Sequence, residues 1–114
     1  MSKGLREILL NYSEGRILGE KAHVKGKKNG QVVFNDYYQI YATIEANYSR
    51  LTINWPEDGV LPAEYQEHYP KNSNRYPVDI KYFEEEDIVH LAGNYFGDSY
   101  LIVVQLPEKD RDNN

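Results

Sequence analysis

Hydrophobic residues along the chain follow two periods. Near the start, Leu5, Ile8, Leu9 and Tyr12 recur at i, i+3, i+4 and i+7, the spacing of one stripe on a helix. This predicts a helix from Ser2 to Glu14, with Ser2 as N-cap and Gly15 as C-terminal stop. A helix this short does not persist alone in water, so its stripe must lie on another element.

From Arg16 onward the period falls towards two, the signature of strands. Ile17 to Lys25 reads as a weak strand, and Asn29-Gly30 marks a tight hairpin. Gln31 to Asn35 opens the next strand. Tyr37 to Glu45 follows, with Tyr38, Ile40, Ala42 and Ile44 on one face. Ala46 to Ser49 is a turn, and Arg50 to Trp55 is a strand that Pro56 ends. Glu57 to Arg75 reads as a long loop in which Pro62 opens a short helix over Ala63 to His68. Val78 to Phe83, Ile88 to Phe96 and Ser99 to Leu106 complete the strands. The last carries Leu101-Ile102-Val103-Val104, apolar on both faces, which predicts a central position.

These elements predict an α+β fold. An N-terminal helix packs on a bent antiparallel sheet of five to seven strands, curved towards a small barrel. Residues 1–107 form one domain and 108–114 a polar tail. The predicted core is Leu5, Ile8, Leu9, Val33, Ile40, Ile44, Leu51, Ile53, Val78, Ile80, Leu91, Leu101 and Val103.

Composition narrows the functional classes. The chain has 114 residues, 13 Lys and Arg against 18 Asp and Glu, and a formal net charge of −5. That charge disfavours sequence-independent binding to duplex nucleic acid, which requires clustered cations. Lys21, Lys25, Lys27 and Lys28 lie close together and read as a charged hairpin tip. Without cysteine there are no disulfides, thiolate metal sites or thiol nucleophiles. No apolar run is long enough for a membrane-spanning helix, and no signal peptide is visible, so a cytoplasmic location is expected. Eleven tyrosines, three phenylalanines and one tryptophan suit strands and contact surfaces alike.

Candidate chemistry is sparse. Asp79-Ile80-Lys81 with the upstream Asp58 resembles the Asp…(Asp/Glu)-x-Lys pattern of the PD-(D/E)xK nucleases. There two carboxylates hold a divalent metal and the lysine assists the attacking water. His23, His68 and His90 are widely spaced, unlike a compact zinc motif, although His68 beside Glu64 and Glu67 has acid–base character. The acidic run Glu84 to Asp87 reads as a solvated hairpin end. There is no Gly-rich phosphate loop and no Gly-x-Ser-x-Gly elbow. No cofactor, metal or catalytic residue is expected.

The expected function is therefore stoichiometric binding to another protein, as an accessory or inhibitor protein of the kind phages and mobile elements encode. The binding residues expected are Trp55, Tyr65, Tyr69, Arg75 and Tyr76, with Glu57, Asp58, Glu64 and Glu67 as an acidic rim, because Tyr, Trp and Arg dominate interface centres. Packing of the aromatics against the core is the competing explanation. A second possibility is a nucleotide-like small molecule held by stacked tyrosines with Arg50 and Arg75. Open sheet edges predict a homodimer.

Overall fold

The computed structural model describes residues 4–13, 20–68 and 79–107. Helix α1 (Leu5–Ser13) precedes seven strands: β1 (Glu20–Lys28), β2 (Gln31–Ile44), β3 (Tyr48–Ile53), β4 (Glu64–His68), β5 (Asp79–Phe83), β6 (Ile88–Tyr95) and β7 (Asp98–Gln105). They form one antiparallel sheet in the order β4-β3-β2-β1-β7-β6-β5, curled into a half-barrel with the helix against it. Two meanders, β1 to β4 and β5 to β7, meet where β7 pairs with β1. The curl brings Tyr65 of β4 against Tyr100 of β7 with ring centroids 5.8 Å apart, although three strands separate them in the sheet.

Leu5, Ile8 and Leu9 are buried, as the stripe predicts, whereas Leu10 is 45% exposed. The predicted ends of the helix and Val78 lie outside the described residues. The first turn is held by Glu67 of β4, whose Oε1 accepts the Leu5 N–H at 2.7 Å, so a carboxylate meets the positive end of the helix. Arg6 donates to the Glu45 carbonyl, tying the helix to the β2–β3 turn.

Asn29 and Gly30 both adopt positive φ, 52° and 83°, as a primed two-residue hairpin requires. The Asn29 amide donates to Asp98 Oδ1 at 2.9 Å, and its Oδ1 accepts the Ser99 N–H at 3.0 Å. The β1–β2 tip is thereby clasped to the β6–β7 tip.

Five expectations need correction. The segment around residues 63–68 is strand, not helix: Glu64–His68 pairs with β3, Leu51 facing Tyr65. Six residues form a weak helix, whereas the free edge of β3 supplies ladder partners. Gln31 to Ile44 is one strand rather than two. Its register slips beside Gly26, which faces Phe34 while Lys27 faces Val32. Val33 falls in that bulge and is 40% exposed, so it leaves the predicted core. On β7 the inner face is Tyr100, Ile102 and Val104, all buried, while Leu101 and Val103 are only half-buried on the outer face. A strand apolar on both sides carries no signal for which side faces in. Ile44 and Ile80 are half-buried and pack at the margin of the core.

Gly26 marks a close approach. A Cβ there would lie 2.6 Å from Leu61 Cδ1, 3.2 Å from Trp55 Cη2 and 3.6 Å from Ile102 Cδ1. Gly26→Val is expected to cost about 1–3 kcal/mol by overpacking, read as a lower melting temperature. Gly26→Ala costs less, because the flexible end of Leu61 can swing aside.

Candidate binding surface

Of the expected binding residues, Trp55 and Tyr65 are core residues of this fold. Tyr69, Arg75 and Tyr76 lie outside the described residues. Trp55 stacks on Phe34 at 4.8 Å, meets Tyr38 edge-on at 5.2 Å, and donates its Nε1–H to the Pro62 carbonyl at 3.0 Å. Tyr65 is fully buried. Burial pushes its hydroxyl pKa far up, and the nearby Trp55 indole opposes the shift. The indole proton is committed to Pro62, and the Tyr65 hydroxyl has no hydrogen-bond partner among the described residues. Tyr65→Phe is therefore expected to leave the melting temperature unchanged or to raise it, since an enclosed unpaired hydroxyl opposes folding. Tyr65→Ser, by contrast, empties the core, and its effect on any binding would report stability.

The acidic rim is divided in its tasks. Glu67 caps the helix, and Glu64 pairs with Arg50 at 3.7 Å. Glu57 and Asp58 line an open cleft of about 180 Å³ with Tyr41, Trp55 and Tyr95. Carboxylates there repel a phosphate group. Arg50 also sits over the Tyr48 ring at 5.6 Å, so its charge is already engaged. Asp79 and Lys81 lie on the exposed side of β5, and Ile80 turns inward. No group of three or more His, Cys, Asp or Glu side chains is arranged to hold a metal among the described residues.

Two surfaces escaped the sequence pattern. The first is the outer face of the sheet. On β1, Ala22, Val24 and Gly26 point inward, leaving Lys21, His23, Lys25 and Lys27 outward. His23 meets Tyr37, itself 62% exposed, edge-on at 5.3 Å. His90 on β6 meets Phe83 in the same way at 4.7 Å. Burial, and then the neighbouring Lys81, hold the His90 imidazole below its ordinary range. On β5 and β6 the positive charge of this face therefore rests on Lys81 at neutral pH. The period-two lysines were the available signal, and a hairpin tip accounts only for Lys28, which pairs with Asp98 at 3.6 Å.

The second is the β6–β7 turn. Phe96 is 89% exposed and has a φ of 51°, followed by Gly97 at 86°. Left-handed backbone suits Asn or Gly in a primed turn and is strained for a bulky residue. Its ring tilts against Tyr95 at 4.7 Å. The Asn29 clasp holds this turn beside the β1–β2 hairpin, where Val32 is 49% exposed. Phe-Gly where Asn-Gly is usual was the sequence signal.

No described helix is long and apolar enough to cross a membrane. Compared with known protein families, curated proteins and solved structures, the chain has no significant match to any of them.

Proposed function

We propose that this is a non-catalytic protein that acts by stoichiometric binding to another protein, as an accessory or inhibitor protein does. It docks through the clasped hairpin tips and the adjoining outer face of the sheet. Phe96 carries the reading. A large aromatic held in left-handed backbone lowers stability by about 1–2 kcal/mol, and at 89% exposure it gains little packing in return. Such strain is a marker of functional sites, and an exposed aromatic is suited to anchor an interface.

The test separates stability from binding. Phe96→Asn relieves the strained turn, so it is expected to raise the melting temperature while abolishing partner capture from lysate of the native host. Native mass spectrometry reads the stoichiometry of the captured complex and any homodimer of the 13.3 kDa chain. A wild-type protein that retains no partner, or a Phe96→Asn variant that retains it equally, defeats the proposal.

A further inference from the structure

Resting on that reading, we infer that the partner presents an acidic protein surface, recognised by Lys21, Lys25, Lys27 and Lys81 on the outer face of the half-barrel. Along β1 the lysines lie outward at alternate or doubly alternate positions, with spacings of about 7 Å and multiples of it. Across the sheet, Lys25 faces Val103, Val103 faces His90, and His90 faces Lys81. One transverse row thus carries a lysine at each end.

The cross-strand neighbours of the β1 lysines are uncharged. Lys21 faces Gln39, Lys25 faces Asn35 and Val103, and Lys27 faces Val32 and Leu101. None of these four lysines forms an ion pair among the described residues, where the pairs are Lys28–Asp98 and Arg50–Glu64. A chain of formal net charge −5 therefore gathers three unpaired lysines on the outward side of β1. Like charges at such spacing repel, and an acidic partner relieves that repulsion and steers association.

The boundary of the patch favours a compact acidic partner over a polyanion. The acidic β5–β6 turn is fastened to this face, because Gln105 Nε2 donates to the Glu86 carbonyl at 2.7 Å. Glu84, Glu85 and Glu86 are exposed there, and Asp79 is exposed on β5. An extended nucleic acid crossing the lysines would run over these carboxylates. A folded partner with a local acidic patch fits between them.

The experiment uses a fluorescein-labelled tetraglutamate peptide, short enough to lie between those carboxylates, as probe, at low ionic strength where surface charge is weakly screened. The full chain is expected to bind it, with amide shifts concentrated on the outward residues of β1, β7, β6 and β5. Lys21→Gln/Lys25→Gln/Lys27→Gln is expected to weaken binding at least about tenfold at unchanged melting temperature. The inference is overturned if the wild-type chain does not bind, if its shifts map elsewhere, or if a folded triple variant binds equally. It is also overturned if an oligothymidine binds more tightly through the same lysines. The shift map needs no variant, so a triple variant that fails to fold leaves the test decisive. If the triple variant still captures the native partner, the acidic-surface inference alone fails. If the wild-type chain captures no partner, the binding-protein reading itself fails.

Discussion

Leu9→Asp is expected to lower the melting temperature by more than about 15 °C and to remove the helical contribution to the far-ultraviolet circular dichroism. Leu9 is buried in the cluster that joins α1 to the inner face of the sheet, and the helix touches β2, β3 and β4. The substitution removes a leucine side chain from that cluster and sets an unpaired carboxylate in its place. An uncompensated buried charge costs about 3–5 kcal/mol, a large share of the total stability of a small domain. The tethers at the helix start, Leu5 to Glu67 and Arg6 to the Glu45 carbonyl, cannot hold the helix once its stripe is lost. Leu10→Asp is the control: the neighbouring leucine is largely solvent-facing, and a change of less than about 0.5 kcal/mol is expected. Equal effects from the two substitutions would show that the helix is not docked by the Leu5, Ile8, Leu9 stripe.

Trp55→Ala is expected to destabilise the fold by about 3–5 kcal/mol, measured by urea or thermal unfolding. The ring fills the space between β1 and the loop that follows β3. Phe34 stacks on one side, Tyr38 meets its edge, and Gly26 leaves room for it. Truncation opens a cavity that Leu61 alone cannot close, and it frees the Pro62 carbonyl from its indole donor. Trp55→Phe separates these contributions. It keeps most of the aromatic volume and loses the hydrogen bond, for an expected cost of about 1–2 kcal/mol. If alanine and phenylalanine cost the same, the hydrogen bond rather than the packing holds the ring against the loop that follows β3.

The elements legible in the sequence are those whose pattern is local. The helix stripe needed only the spacing of Leu5, Ile8 and Leu9, and the first hairpin only Asn29-Gly30, since such turns demand residues tolerant of positive φ. What stayed hidden was decided by distant partners. Glu64-Tyr65-Gln66-Glu67-His68 has one apolar residue and becomes a strand because β3 offers an edge. Which side of Leu101-Ile102-Val103-Val104 faces inward is settled by pairing with β1 and β6, not by a run apolar on both sides. Trp55 and Tyr65 were legible as important aromatics, yet their direction depends on Phe34 and Tyr100, remote in sequence. The outer-face lysines were visible singly. Only the burial of Ala22, Val24 and Gly26 shows that three of them share one side of β1.

The junction of the two meanders has a consequence for how the protein is made. β1 leaves the ribosome early and can pair at once with β2, but its other edge is completed only by β7, with His23 facing Gln105. Throughout the synthesis of the intervening strands, a strand destined for the middle of the sheet stands as an open edge. Charged side chains on an exposed edge discourage pairing with other chains, and Lys21, Lys25 and Lys27 supply them. The lysines that face outward in the finished sheet are thus also placed where charge disfavours pairing of that open edge with other chains before β7 arrives.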